Sequence, residues 1–246
     1  MPRFFVDMPL ATGERLALPE DVARHVQVLR MQPGDALTLF NGQGGQYEAR
    51  LAELGRRMAT VELGAFCALE TEPPYRITLA QGIAGGDKMD WLIEKAIELG
   101  ASRIVPVGTA RAVVRLSGER AARRQAHWQA LVAAACEQCG RNRVPEVQPP
   151  RELSAWLDTL PAALDEGELR LILSPRAAQP FDALPKLAPP ATVTLLIGPE
   201  GGLAPEEEEA ATAHGFTPIA LGPRVLRTET AGMAVLAALA ARWGGW

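Results

Sequence analysis

The chain has 246 residues, 48% hydrophobic and 22% charged, with 25 basic against 29 acidic side chains and a formal net charge of -4. That composition belongs to a soluble globular protein with room for one large or two smaller domains, and its acidic balance argues against indiscriminate nucleic-acid binding. No apolar run approaches a membrane span and the start, Met1-Pro-Arg-Phe-Phe-Val-Asp7, lacks the apolar stretch of a signal peptide, so a cytoplasmic location with no membrane partner is expected.

Up to about residue 70 the pattern predicts short strands at Arg3 to Met8, Asp35 to Asn41, Gln46 to Glu53 and Met58 to Phe66, separated by glycine turns. These suggest a small β-barrel. One helix interrupts it, opened by Pro19 and carrying Val22, Val26 and Leu29 at helical spacing. Glu70-Thr-Glu-Pro-Pro74 then breaks regular structure, which sets the expected boundary between a first domain, 1–72, and a second, 73–246.

Beyond the break, strand-like runs at Ile77 to Ile83, Arg103 to Val107, Leu169 to Leu173, Val193 to Ile197 and Pro218 to Leu221 alternate with helices, the order of an α/β domain with a largely parallel sheet. The Asp87 to Leu99 helix has Asp87 as N-cap, an apolar face of Met89, Leu92, Ile93, Ala96 and Ile97, and Gly100 as its stop. The last helix, Ala231 to Trp243, is nearly apolar all round and calls for burial on more than one side, as at a subunit interface.

Three cysteines agree with a reducing compartment. Cys136 and Cys139 form a lone C-x-x-C within the helical pattern Trp128, Leu131, Val132, Ala135 and Cys139, with no second pair, so packed thiols are expected there and no metal. Between Arg103 and Arg143 lie eight arginines (103, 111, 115, 120, 123, 124, 141 and 143) against Glu119 and Glu137, a balance of 8 − 2 = +6. Such a stretch meets a phosphate backbone or forms a solvated helix face, and charge alone leaves both readings open.

The most informative segments are Ile197-Gly-Pro-Glu-Gly-Gly202 and Leu221-Gly-Pro-Arg-Val-Leu-Arg-Thr-Glu-Thr-Ala231. Each follows a buried-strand pattern and leads into a helix, so both loops leave the carboxyl ends of strands, where open α/β sheets bind ligands. Glycines there let backbone approach a cofactor closely. The first loop lacks the spacing of dinucleotide and P-loop sites, and the Glu206 to Glu209 run that follows repels pyrophosphate. A cofactor neutral or positive near its reactive atom, such as the sulfonium of S-adenosylmethionine, fits better. A tight turn before a well-capped surface helix is the alternative for either loop taken alone.

Together the two segments resemble the signature pair of the RsmE family, bacterial methyltransferases acting on uridine N3 of 16S ribosomal RNA. The likeness extends to Lys88-Met-Asp-Trp-Leu-Ile-Glu-Lys-Ala-Ile-Glu-Leu-Gly100, to Ala135-Cys-Glu-Gln-Cys-Gly-Arg-Asn-Arg-Val-Pro145, and to His25-Val-Gln-Val-Leu-Arg30 with Gly34-Asp35. Asn41 and Gln46 carry amides where acidic residues are common in the family. The resemblance implies a PUA-like RNA-binding β-barrel followed by a SPOUT α/β domain with a trefoil knot, a homodimer, and the small ribosomal subunit as partner. It also implies that S-adenosylmethionine sits among Gly198, Pro199, Glu200, Gly201, Gly202, Leu221, Gly222, Leu226, Arg227, Thr228 and Ala231, with Leu173 and Ser174 at the end of a third strand.

Methylation of N3 requires alignment of donor and acceptor and loss of the imide proton, chemistry suited to an arginine that stabilises the uracil anion and a carboxylate that takes the proton. Arg227 and Glu229 are expected nearest the reacting centre, with a mutual ion pair as the alternative. Glu137 and Arg141, four apart, are candidates to hold the target base or a phosphate from the partner subunit, or else form an intrahelical ion pair. Arg3, His25 and Arg30 in the first domain, and Arg111, Arg115, Arg123 and Arg124 in the basic stretch, are the candidate RNA contacts.

Overall fold

Alternation along the first 70 residues is realised as one sheet. In the computed structural model, which describes residues 1–177, 179–184 and 192–245, strands β1 (Arg3–Phe5), β2 (Arg15–Ala17), β3 (Ala36–Phe40), β4 (Gln46–Leu54) and β5 (Ala59–Cys67) pair in the order β1-β3-β4-β5-β2. β1 runs parallel to β3 and the remaining pairs are antiparallel. Leu37, Leu39, Ala49, Leu51, Val61 and Leu63 point to one side, where they bury with Val22, Ala23 and Val26 of helix α1 (Glu20–Val28). Two expectations change. β2 is three residues long, too short for alternation to register. Leu29 is not on the buried helix face: α1 ends at Val28, Leu29 is largely exposed, and Arg30 takes a left-handed φ of 57°.

The second half builds a sheet in the order β12-β10-β11-β6-β7-β8, from β6 (Arg76–Gly82), β7 (Arg103–Gly108), β8 (Glu146–Val147), β10 (Glu168–Leu173), β11 (Thr192–Ile197) and β12 (Thr217–Ile219), with β9 (Arg151–Glu152) also beside β7. Every pairing is parallel. Parallel sheets bury both faces, and the continuous apolar runs reflect that. On one face Ala80, Val105, Val107, Ile172 and Leu196 pack with Leu153, Trp156 and Leu157 of α4 (Leu153–Leu157), Ala211 of α5 (Pro205–Ala213) and Phe216. The alternate residues Leu79, Ile104, Leu171 and Leu195 are equally buried and point to the other face, where α6 (Thr228–Trp243) contacts β11 and α2 (Lys88–Glu98). β8, β9 and α4 have too few residues to show a period.

Helix α2 ends at Gly100, whose φ of +87° only glycine adopts without strain. Asp87 stands at its N-cap, yet its side chain makes no capping bond. α3 (Gly118–Cys139) is much longer than the Trp128 to Cys139 pattern indicated. The chain divides into two compact units, Met1–Glu72 with Ala133–Val144, and Pro73–Val132 with Pro145–Trp246. The stretch 133–144, read from sequence as part of the second domain, bonds within the first unit: Asn142 Nδ2 donates to Leu69 O at 2.6 Å and Val144 N to Gly42 O at 3.3 Å. Glu70 and Glu72 are also tied there, Glu70 Oε1 accepting from Gly45 N at 2.8 Å.

Candidate functional site

Three strand ends meet at one cavity of about 550 Å³ in the second unit: β10 delivers Leu173 and Ser174, β11 delivers Gly198 to Gly202, and β12 is followed by Leu221 to Ala231. This is the carboxyl edge of the parallel sheet, with the glycine loops as walls. Gly198 packs so closely on the turn it opens that a Cβ there would lie 2.8 Å from Gly202 C and 2.9 Å from Leu203 N. The turn is closed by Gly202 N donating to Pro199 O at 2.8 Å.

Leu173, Ser174, Gly198, Pro199, Glu200, Gly201, Gly202, Leu221, Gly222, Leu226, Arg227, Thr228, Glu229 and Ala231 all line the cavity. The second loop is braced at its end, where Thr228 Oγ1 donates to Gly198 O at 2.6 Å. The first is braced at its tip by Arg111, whose Nη1 donates to Gly201 O at 3.2 Å.

Of the carboxylates lining the cavity, Glu200 and Glu208 are paired and Glu229 is not. Lys88 Nζ lies 2.8 Å from Glu200 Oε1, which also accepts from Gly85 N at 3.1 Å. Partial burial pushes the Glu200 carboxyl up, but the bonds from Lys88 and from the backbone N–H groups of Glu200 itself and Gly85 outweigh it and leave its pKa below the ordinary value. Glu208 receives Arg176 Nη2 at 2.8 Å and Ser174 Oγ at 3.1 Å. Glu229 is the exception: its Oε2 is buried with no partner, and among the described residues no ion pair joins it to Arg227. A buried carboxylate oxygen beside a cavity and without a donor is suited to a cationic or proton-bearing ligand.

Lys88, Arg176, Glu208, Arg224 and Val225 also line the cavity and were not singled out in the sequence. Lys88 opens the helix that follows β6, so the strand-end rule that exposed the two glycine loops also pointed to it. Glu208 was hidden within a glutamate run, because the run does not reveal which member faces inward.

The remaining candidates have other surroundings. Glu137 and Arg141 do not share a helix face, because α3 stops at Cys139 and Gly140 turns the chain with φ +87°. They form no intrahelical ion pair and do not line the cavity. Arg141 instead pairs through two bonds with Glu72, and Glu137 Oε1 accepts from Phe5 N at 2.8 Å. Burial raises the Glu137 pKa against the opposing pull of that bond. Arg3 is a bracing residue: it bonds Gln46, Arg141 O at 3.2 Å and Asn142 Oδ1 at 2.9 Å, and lies over the Phe40 ring at 4.7 Å. His25 stands edge-on to Phe4 at 5.2 Å between centroids, and Arg30 is exposed.

The +6 stretch is largely offset in space. Arg103 pairs with Glu146, Arg115 with Glu152, Arg123 with Glu119, Arg124 with Asp90, Arg141 with Glu72 and Arg143 with Glu70, five of these carboxylates lying outside the stretch. Of the arginines expected to meet RNA, Arg111 alone reaches the cavity. Cys136 is buried, which pushes its thiol up to about 12, and no cluster of metal-binding side chains occurs among the described residues. No helix among them is long and apolar enough to cross a membrane.

Comparison with known proteins agrees with this architecture. The family described as RNA methyltransferase domain matches residues 71–240, and that described as RNA methyltransferase PUA domain matches residues 18–64. The chain is 31% identical over 245 residues to the ribosomal RNA small subunit methyltransferase E of Buchnera aphidicola subsp. Schizaphis graminum, covering 99% of this chain and 97% of that one. It is 30% identical to its Bacillus subtilis namesake, covering 97% and 96%. Among solved structures, the ribosomal RNA small subunit methyltransferase E of Neisseria gonorrhoeae bound to S-adenosyl methionine matches with a TM-score of 0.91 at 39% identity, covering 99% and 98%. A Legionella pneumophila protein in complex with the same cofactor matches at 0.90 and 37%, covering 97% and 96%. With its glycine-walled cavity at the carboxyl edge of a parallel sheet and its likeness running from end to end, the chain belongs to the ribosomal RNA small subunit methyltransferase E family.

Proposed function

We propose that this protein transfers a methyl group from S-adenosylmethionine to N3 of a uridine in 16S ribosomal RNA. The observation that carries the reading is the cavity walled by Gly198–Gly202 and Leu221–Ala231, with the unpartnered Glu229 oxygen beside it. Its volume is within the range of small-molecule sites. Glycine backbone admits a flat adenine, and the carboxylates suit a ligand that is cationic at sulfur and at its amino group. When bound, the cofactor supplies an electrophilic methyl carbon.

The chain's own residues supply the rest. Arg227 stabilises the negative charge that grows on the uracil as N3 loses its proton, and Glu229 Oε2 receives that proton. The glycine walls hold the donor in line with N3, and alignment is worth several kcal/mol on general grounds. Arg111 and Arg224, at the cavity, meet the phosphates flanking the target. The first unit holds the surrounding rRNA. Ala234, Ala237 and Ala238 of α6 remain half-exposed, an apolar face suited to a second copy of the chain, so the working form is a cytoplasmic homodimer.

The test is incubation of purified protein with labelled S-adenosylmethionine and either 30S particles or naked 16S rRNA, followed by nucleotide mapping. One 3-methyluridine is the expected product. Cofactor binding without methyl incorporation would favour a non-catalytic RNA-binding or assembly protein, and incorporation into a different RNA would move the substrate.

A further inference from the structure

Gln81 lies outside the cavity and is wholly buried, near the end of β6, where it stands opposite Ile197 of β11 in the parallel register. Its Nε2 donates to Thr228 Oγ1 at 2.9 Å, to Gly82 O at 2.9 Å and, at a longer 3.4 Å, to Gly198 O. The Thr228 hydroxyl passes its own proton to Gly198 O. One side chain thus ties the first residue of the glycine wall to the first residue of α6, and both tied residues line the cavity.

The polarity of this chain of bonds admits only a donor at Gln81 Nε2. Two carbonyl oxygens and a hydroxyl oxygen whose proton is already used surround it. The amide is held this way even though its Oε1 is buried without a partner among the described residues. An unpaired buried acceptor is unfavourable, so the two protons of Nε2, directed at Thr228 Oγ1 and Gly82 O with Gly198 O at longer range, decide the orientation. Close packing brings the same elements together: a Cβ on Gly82 would lie 2.5 Å from Pro199 N, so the strand end and the glycine wall touch through backbone.

We infer that Gln81 is a positioning residue that sets the spacing between the two walls of the methyl-donor cavity, acting through Thr228 and Gly198 rather than touching the cofactor. The inference rests on the S-adenosylmethionine reading of the cavity. Losing the clamp lets the walls separate, weakening the donor's fit while leaving the RNA surface unchanged.

The experiment compares wild type with Gln81→Met, Thr228→Val, Thr228→Ser and the Gln81→Met/Thr228→Val double variant. It reads S-adenosylmethionine affinity by calorimetry, separate KM values for cofactor and rRNA, and thermal midpoints. Gln81→Met is expected to raise the cofactor KM about tenfold, the equivalent of one hydrogen bond, with the rRNA KM unchanged. Thr228→Val should match it, Thr228→Ser should retain near wild-type affinity, and the double variant should be no weaker than either single one. A wild-type cofactor KM in Gln81→Met, or additive losses in the double variant, overturns the inference. So does a lowered midpoint with unchanged KM. If Gln81→Met does not fold, Gln81→Leu takes its place in the same comparison: a raised cofactor KM with an unchanged rRNA KM upholds the inference, and a wild-type cofactor KM overturns it. Failure of the wild type to bind cofactor would instead overturn the functional reading, and the clamp with it.

Discussion

Arg141 and Glu72 are joined by two bonds, Nε to Oε1 at 2.9 Å and Nη2 to Oε2 at 2.5 Å, with Arg141 only 4% exposed. Planar guanidinium and carboxylate groups meet in a bidentate geometry, and removing Glu72 takes away the carboxylate that faces this buried guanidinium. Glu72→Ala is therefore expected to lower stability by about 3–5 kcal/mol in denaturant titrations. A loss below about 1 kcal/mol, the range of a solvated surface pair, would contradict that.

Arg227 and Glu229 act on the reacting base in the proposed mechanism, so their loss should appear in turnover rather than in cofactor affinity. Arg227→Ala should reduce kcat about 100-fold, the scale of removing one donor to a developing anion. Glu229→Gln should reduce it by a similar factor, about 100-fold, the lower range for general-base catalysis. Single-turnover methylation rates would measure both. Unchanged rates with weakened cofactor binding would make the two residues part of the binding site only.

The Lys88–Glu200 pair predicts a pH dependence with a definite sign. Because Glu200 is held below its ordinary pKa in the folded protein, its stabilising contribution is present above the ordinary carboxylate value and is lost as pH falls through the folded one. Thermal midpoints of wild type and Lys88→Met should differ at neutral pH and converge as the medium is acidified below that range. A gap that widens on acidification would contradict the assignment.

Gly82 is placed where the strand end meets the glycine wall, with Pro199 N 2.5 Å and Gly198 C 2.8 Å from the position of an added Cβ. Gly82→Ala should lower stability by about 1–3 kcal/mol, the range for overpacking, and weaken cofactor binding with it. Differential scanning calorimetry and cofactor titration on the same sample would show the two effects together. A variant with wild-type stability and affinity would mean that the loop gives way freely.

Much of the second unit was legible in the chain. The β6, β7, β10 and β11 runs and the apolar face of α2 stand out because burial on both faces of a parallel sheet, or on one face of a helix, writes a period into the sequence. The cavity walls were legible for a related reason: glycines between a buried strand and a helix mark close backbone approach. β2, β8, β9 and α4 were not, being too short to display a period.

Local sequence also misjudged individual side chains. Glu137 and Arg141 are four residues apart, yet Gly140 turns the chain between them and each bonds a residue distant in sequence. The eight arginines between 103 and 143 suggest a basic face, but six of them meet carboxylates and five of those lie outside the stretch. Ion pairing depends on where the fold brings distant carboxylates, and neither charge counting nor helical spacing encodes that.

The amino-acid order by itself determined the α/β class of the second unit, the strand-to-loop junctions and the identity of the glycine walls, because these follow from short-range periodicity and backbone freedom. Only the tertiary structure decided that Arg141 belongs to Glu72, that Lys88 and Glu208 face the cavity, and that a buried glutamine on a different strand links its two walls. Those relations join residues up to 147 positions apart, and they exist only once hydrophobic burial has fixed which strands are neighbours.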